Sequence, residues 1–175
     1  LILAIARELG SRNILQITYN KSLKFEVREK THAMGIENLT IHTYHSLAVC
    51  YYSCTAHVDN EIKKIVDNNT PPNKSIPEYD MLVVDEAQDI YGSRRELIEV
   101  LLKSVAKLGG GWTVLGDPAQ SIFDFQSTKT GDEISLLVSL SKISPKISTI
   151  TLGMDYRAKN DEIRKTRLLG VGLRA

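Results

Sequence analysis

The feature that most limits how this chain can fold is the run Met-Leu-Val-Val at residues 81–84, which is apolar without alternation. A strand with apolar side chains on both faces needs cover on both faces, as it has at the centre of a parallel sheet between two layers of helices. Asp85 and Glu86 follow this run directly. Because open parallel sheets bind their ligands at the carboxyl ends of the strands, the sequence predicts that these two acids line a ligand crevice.

Strand and helix patterns alternate along the rest of the chain. Gly10 and Gly35 follow two of the predicted helices as stop signals. The alternation predicts an α/β fold with a mostly parallel sheet and flanking helices. Residues 67–75 have the composition of a surface loop. Strand-like runs occur at residues 13–18, 39–43, 112–115 and 147–152, and helical spacing occurs at residues 1–9, 21–34, 45–53, about 93–108 and about 132–141.

The composition is that of a soluble globular chain, with 42% hydrophobic and 25% charged residues. The formal net charge of +1 excludes a global basic field, so any contact with nucleic acid has to be local. The 175 residues show no signal peptide and no apolar run long enough to span a bilayer, and two cysteines are too few for a disulfide framework. We therefore expect an intracellular protein without a membrane partner.

Two acidic clusters follow predicted strands. The first is Asp-Glu-Ala-Gln-Asp at residues 85–89, where the first acid can hold Mg²⁺ on a nucleotide and the second can polarise the attacking water. The second is Gly-Asp-Pro-Ala-Gln-Ser-Ile-Phe at residues 116–123. Each has a plain alternative when it is taken alone, because apolar strands often end in Asp-Glu and Gly-Asp-Pro is an ordinary turn. The turn reading leaves residues 120–123 unexplained.

Read together, the two clusters resemble motifs II and III of the UvrD/Rep helicases of superfamily 1. Residues 17–21 (Ile-Thr-Tyr-Asn-Lys) resemble motif Ia, and residues 41–47 (Ile-His-Thr-Tyr-His-Ser-Leu) resemble the segment called Ib. Residues 152–157 (Leu-Gly-Met-Asp-Tyr-Arg) resemble motif IV, with Asp155 where the family usually has Asn. The resemblance spans nearly the whole chain, and its strength lies in five motifs that occur in the family's order. It implies an incomplete RecA-like P-loop NTPase core.

The resemblance also implies roles for individual residues on the nucleotide side, with ATP and Mg²⁺ as ligands. By this comparison Asp85 coordinates Mg²⁺, Glu86 activates water, Gln120 senses the γ-phosphate, Arg157 is the arginine finger, Tyr156 stacks on the adenine, and Gln88 and Asp117 contribute to the nucleotide site.

On the nucleic-acid side, the resemblance implies single-stranded or partly duplex DNA as the partner. Gln126 stands where the family usually has Arg after the stacking aromatic, so the resemblance does not extend to a charged strand contact there. Backbone contacts and base stacking are therefore expected to carry the binding. The residues implied in these contacts are Thr18, Asn20, Thr43, Tyr44, His45 and Phe125.

The pattern Gly-x-x-x-x-Gly-Lys-[Ser/Thr], which cradles nucleotide phosphates, does not occur in the 175 residues, and neither do the later motifs V and VI. We expect residues 1–146 to form most of a first RecA-like domain without its P-loop, and residues 147–175 to begin a second. The expected function is that of a fragment of an ATP-dependent DNA helicase or translocase, inactive as an ATPase by itself. Two alternatives remain at this stage: the motor part of a helicase-nuclease, and a non-catalytic nucleic-acid-binding module.

Overall fold

A computed structural model describes residues 1–117 and positions 136, 139, 140, 147, 148, 150 and 151. Strands and helices alternate along the described part, as the sequence predicts. A single turn of 3₁₀ helix, Ala87–Asp89, lies between β3 and α5. The elements in chain order are α1 Ile2–Glu8, β1 Ile14–Thr18, α2 Lys21–Ala33, β2 Leu39–Thr43, α3 Tyr44–Tyr51, α4 Asp59–Asp67, β3 Met81–Val84, α5 Gly92–Lys107 and β4 Gly111–Val114.

The four strands form one sheet in the order β2-β1-β3-β4, and every neighbouring pair is parallel. This confirms the predicted α/β fold. Strand β3 lies inside the sheet, with its Met81 and Val84 in register with Ile14 and Ile17 of β1 on one side and with residues 111 and 114 of β4 on the other. Its apolar side chains are buried on both faces, as the unbroken apolar run requires.

The two faces of the sheet carry cores of different size. Leu82 and Val84 belong to the larger core, which the helices α3, α4 and α5 cover. Val83 points to the opposite face and packs in a smaller core with Ile2 and Ala6 of α1. Each fully buried aliphatic side chain of this kind stabilises the fold by roughly 1.5–3 kcal/mol relative to an exposed one. The carboxyl ends of all four strands are thereby held at one edge of the sheet.

Local side-chain signals set several helix ends. The Asn20 side chain accepts a hydrogen bond from the Ser22 amide at 2.8 Å and caps α2. Thr43 and Ser46 form a capping box at the start of α3. Gly35, at φ +63°, takes the left-handed conformation after α2 that the sequence predicts for a helix stop. These caps bring β1 into α2 and β2 into α3 at the same sheet edge.

Two sequence expectations need correction in this part of the chain. Helix α1 ends at Glu8, and its C-cap is Leu9 rather than a left-handed Gly10. Helix α4 was not predicted, because its N-cap Val58 supplies no side-chain hydrogen bond and therefore no start signal. Burial of Ile62 against the larger core is what selects the helix there.

The last two predicted elements fall largely outside the described residues. Leu136, Ser139 and Leu140 are helical, in agreement with the helix predicted for residues 132–141. The described positions of the predicted strand 147–152 have no regular structure. The Ile150 side chain is 82% exposed there, so no packing holds it in a strand. Within the described part of the chain, no helix combines the length and apolarity needed to cross a membrane.

Candidate functional site

Asp85 and Glu86 lie at the carboxyl edge of the sheet, directly after β3. The parallel ladder continues one residue beyond the strands, because the Asp85 amide donates to the Ile17 carbonyl at 2.9 Å and the Leu115 amide donates to the Val84 carbonyl at 2.8 Å. Both acids are partly exposed. Asp85 and Glu86 thus lie at the carboxyl edge of the parallel sheet, as the sequence predicts, and their role as the lining of a ligand crevice stays a prediction.

Glu86 adopts the left-handed backbone conformation, with φ +54° and ψ +44°. A residue other than glycine pays roughly 1–2 kcal/mol for this conformation, so its surroundings have to hold it. The Glu86 amide donates to Asp85 Oδ1 at 3.1 Å, and the Ala87 amide donates to the Leu115 carbonyl at 3.0 Å. The chain therefore turns sharply at Glu86 and presents two successive carboxylates at the sheet edge instead of burying the second.

Gln88 joins the two acidic clusters. Its side chain is buried, and its Nε2 donates to Glu86 Oε2 at 2.7 Å. Its Oε1 accepts from the Asp117 amide at 3.1 Å. Gln88 and Asp117, to which the helicase resemblance gives roles on the nucleotide side, are thus in contact with each other, and Gln88 also contacts Glu86. The Gln88 amide also sets the orientation of the Glu86 carboxylate.

Asp89 is a member of this group that the sequence analysis gave no role. Its Oδ1 is buried and has no hydrogen-bond partner among the residues that the structure describes. Burial, and then the charge of Glu86, raise the pKa of the Asp89 carboxyl. The only signal for Asp89 in the sequence was its place at the end of the acidic cluster, four residues after Asp85. It lies two residues after Ala87, which the structure shows to be buried. A cation at this edge would offset the like charges of the carboxylates.

These residues fit a magnesium site completed by a ligand. Mg²⁺ usually takes one or two carboxylates from the protein and fills its remaining positions with water and phosphate oxygens. Within the described residues, no three His, Cys, Asp or Glu side chains are grouped so that they could hold a metal alone. Two observations favour a cation here: Asp89 Oδ1 is buried without a hydrogen-bond partner among the described residues, and the charge of Glu86 acts on the Asp89 carboxyl.

The expected DNA-contacting residues of β1 and β2 lie at the same edge, but several are buried. Thr18 is fully buried, and Thr43 is a buried helix cap. The Tyr44 side chain is only 4% exposed, so a base cannot stack on its ring in this conformation. Asn20 is exposed and His45 is partly exposed, so these two remain accessible to a strand.

Arg94 covers Tyr44. The pair Arg94-Arg95 reads from the sequence as a solvated helix face, and the structure shows that this interpretation is wrong. Arg94 Nε donates to Asp59 Oδ1 at 2.8 Å, and its guanidinium carbon lies 4.9 Å from the ring centre of Tyr44 and 5.7 Å from that of Tyr19. The hydrogen bond from Arg94 is also the main reason why the pKa of Asp59 is lowered.

The cluster around Arg94 ties four elements together. His45 Nε2 lies 3.1 Å from Asp59 Oδ1, so α3 and α5 share one carboxylate at the start of α4. Tyr19, which directly follows β1, packs 5.9 Å from Tyr44 between ring centres. No sequence signal identified this cluster, because Arg94 and Asp59 are 35 residues apart.

Four predicted site residues lie outside the described residues: Gln120, Phe125, Tyr156 and Arg157. Their assigned roles stay predictions.

A parallel sheet flanked by helices, with consecutive carboxylates after an inner strand, is consistent with an incomplete RecA-like core of the P-loop class. Within this class, a family model described as AAA domain matches residues 1–126. The chain belongs to this family, which is found in UvrD/Rep-like helicases. Neither curated proteins nor solved structures gave a significant match. AAA P-loop domains generally bind nucleotide with Mg²⁺, so membership indicates a nucleotide-dependent function.

Proposed function

We propose that this chain is part of an ATP-dependent motor that moves along single-stranded DNA, as a helicase or translocase. The observation that carries the proposal is the Gln88 bridge, in which one side chain contacts both Glu86 and the Asp117 backbone. The bridge brings together two segments that resemble adjacent helicase motifs. Family membership supports the nucleotide-dependent part of the proposal, and the resemblance of residues 17–21 and 41–47 supports the DNA part.

In the proposed reaction, Asp85 would hold the Mg²⁺, which would neutralise charge on the transferred phosphoryl group. Glu86 would orient the attacking water and accept its proton as the bond from the water oxygen to the γ-phosphorus forms and the bond from that phosphorus to the β,γ-bridging oxygen breaks, with ADP as the leaving group. Gln88 holds Glu86 Oε2 at 2.7 Å, so this carboxylate needs little reorganisation at the moment of reaction. Asp89 adds negative charge that favours the metal ion at this edge.

The Gln88 bridge also provides a connection between hydrolysis and movement. Gln88 Oε1 accepts from the Asp117 amide, so a shift of the segment after β4 changes the support of the Glu86 carboxylate. Phe125, the expected base-stacking residue, follows Asp117 by eight positions along the same segment. We therefore expect a change in the phosphate contacts of Glu86 to be transmitted through Gln88 and the segment from Asp117 to Phe125 toward the bound DNA strand.

Glu86→Gln tests the proposal in a protein in which a phosphate-binding Gly-Lys-Thr loop precedes Leu1. Gln keeps the shape of the side chain but cannot accept a proton, so kcat for DNA-stimulated ATP hydrolysis should fall by about 10² to 10⁴. ATP affinity should stay within a few fold. Glu78→Gln is a matched control, because Glu78 is an exposed acid in the loop before β3.

Steady-state hydrolysis with and without a DNA oligonucleotide gives both quantities. Unchanged turnover in the Glu86→Gln protein would exclude Glu86 as the catalytic base. Turnover that does not respond to DNA in the unmodified protein would remove the strand-coupled part of the proposal. The 175 residues alone should show no hydrolysis above background, because Asp85 and Glu86 act only on phosphates that other groups hold.

A further inference from the structure

Helix α2 carries a concentrated positive charge on one face. Lys21, Lys24 and Arg28 lie within an arc of about 60° around its axis, given 3.6 residues per turn. The chain as a whole has a formal charge of only +1, so three cations on two turns of one helix are a local departure from a balanced surface. Such a face needs either acidic partners within the protein or an anion from outside.

Lys21, Lys24 and Arg28 have no acidic partners among the described residues. Lys24 Nζ donates to Ser46 Oγ at 2.9 Å, and an Arg28 terminal nitrogen donates to the Ile41 carbonyl at 2.9 Å. Both acceptors are neutral, so these hydrogen bonds orient the cations without cancelling their charge. In the part of the chain that the structure describes, none of the three cations forms an ion pair. Lys30 of the same helix, in contrast, pairs with Glu26.

The cations affect one another and their surroundings. Burial, and then the charges of Arg28 and Lys21, lower the pKa of Lys24. Burial, followed by the charges of Lys24 and Arg28, lowers the pKa of His42 to about 4. Lys24 also contacts Ser46 in the first turn of α3, where the helix dipole is positive and an ammonium group is disfavoured. An anion at this place would relieve all three effects.

Phe25 lies on the same face of α2. Its side chain is 52% exposed, and Lys21 Nζ lies 5.9 Å from the centre of its ring. Proteins that bind single strands combine cations that follow the phosphates with aromatic rings on which bases stack. Exposed phenylalanine beside unpaired cations matches this combination, whereas a small inorganic anion would make no use of the ring.

We infer that Lys21, Lys24, Phe25 and Arg28 form a binding surface for single-stranded nucleic acid that extends the strand-binding edge along α2. This surface, the α2 face, begins next to the exposed cap Asn20 at the carboxyl end of β1 and reaches about 10 Å along the helix. The identity of the ligand rests on the proposed function. Lys21 is the last residue of the segment that resembles motif Ia, but none of the four residues of the α2 face is among the contacts that the helicase resemblance implies.

The test measures binding of the full chain to a labelled oligothymidine of about 20 nucleotides between about 20 and 200 mM salt. Replacing both Lys24 and Arg28 with Gln should weaken binding and reduce the slope of log K against log salt by about 1.4, since each lost phosphate contact removes about 0.7. Phe25→Ala should weaken binding about tenfold and leave the slope unchanged, because stacking releases no counterions.

Lys30→Gln is the matched control, because it removes one charge from the same helix but from an ion pair with Glu26. Its slope should equal that of the unmodified chain. Circular dichroism of each variant checks that the fold is kept.

The outcomes separate this inference from the proposed function. If the unmodified chain binds and the variant with Gln at positions 24 and 28 keeps the same slope of log K against log salt, the assignment of the α2 face as a binding surface is wrong. Strand binding at the sheet edge then stands. If the unmodified chain does not bind oligothymidine even at the lowest salt, the strand-binding proposal fails and this inference fails with it. If polyglutamate of equal charge competes as well as oligothymidine, the α2 face recognises an acidic polypeptide, and the inference is overturned.

Discussion

Glu86 combines an uncommon backbone conformation with a side chain that is held in place. The left-handed turn directs the chain out of β3, and Gln88 fixes the carboxylate that results. Strain of this kind persists only where the surrounding contacts over-determine it, and it occurs preferentially at functional sites. In this chain the strain coincides with the residue to which the helicase resemblance assigns water activation.

The pKa of His42 predicts how the stability of the folded chain depends on pH. Its pKa in the folded chain is about 4, against 6.5 for an unperturbed histidine, so the unfolded chain takes up the proton first as the pH falls. The contribution of neutral His42 to the free energy of unfolding is therefore fully present above about pH 6.5 and is lost as the pH falls toward about 4. Burial also lowers the pKa of His45, which adds a change of the same sign.

The measurement is the urea midpoint between about pH 7.5 and about pH 4.5. His42→Gln should make the midpoint less dependent on pH in this range, while His32→Gln, at an exposed position of α2, should leave the dependence as it is. Equal pH dependence in the unmodified and His42→Gln chains would contradict the assignment.

At the scale of elements, the end of α5 is held very close to the loop before β3. A Cβ on Gly110 would lie 2.6 Å from Val105 Cγ1 and 3.0 Å from the Asp80 carbonyl oxygen. The neighbouring Gly111 has open space around the same position. The triple glycine at 109–111, which the sequence indicates as a helix break, therefore also permits a close backbone approach that sets the position of β4 beside β3.

Gly110→Ala should lower the free energy of unfolding by about 1–3 kcal/mol, because backbone atoms on one side cannot move away from the added methyl group. Gly111→Ala is the matched control and should change it by less than about 0.5 kcal/mol. Urea denaturation followed by circular dichroism compares the two. Equal effects of both substitutions would show that conformational entropy, and not the close contact, decides the result.

Arg94 shows how separate elements meet above the sheet. Helix α5 begins shortly after the acidic segment, and its Arg94 reaches Asp59 of α4 and the rings of Tyr19 and Tyr44. The same short stretch of chain thus connects the nucleotide-side acids with residues at the ends of β1 and β2. Movement of α5 would alter both places together.

For the whole molecule, the prediction with the largest expected effect concerns Tyr156 and Arg157. The helicase resemblance implies that a second domain begins at residue 147; in that arrangement Arg157 would reach the nucleotide only when the domains close and would act mainly in the transition state. In a protein that carries the phosphate-binding loop, Arg157→Ala should lower kcat by about 10³ to 10⁵ with nucleotide affinity within a few fold. Tyr156→Ala should instead weaken ATP binding and largely keep the turnover at saturation. Steady-state kinetics distinguish the two, and an Arg157→Ala enzyme with unchanged kcat would remove the arginine-finger assignment.

Local order along the chain was sufficient to predict most of the architecture. An apolar run without alternation can only be satisfied inside a covered sheet, so residues 81–84 specified both the fold class and the position of the acids after them. The end of α2 was also readable, because Gly35 is compatible with the left-handed conformation, whereas α3 begins and ends one to two residues before the predicted range 45–53. Helix α4 was missed because it has no cap and depends on burial of Ile62 and Ile65.

The sequence by itself determined the alternation of strands and helices and the type of chemistry at the sheet edge, because both depend on residues close together in the chain. Only the tertiary structure decided which distant side chains meet. Gln88 bonds to the Asp117 backbone across 29 residues, and Arg94 pairs with Asp59 across 35. It likewise decided that Lys24 and Arg28 of α2 donate to neutral oxygens. The physical reason is that charge pairing and burial depend on which surfaces the packed helices bring together. The distances between side chains on different helices do not follow from their spacing along the chain.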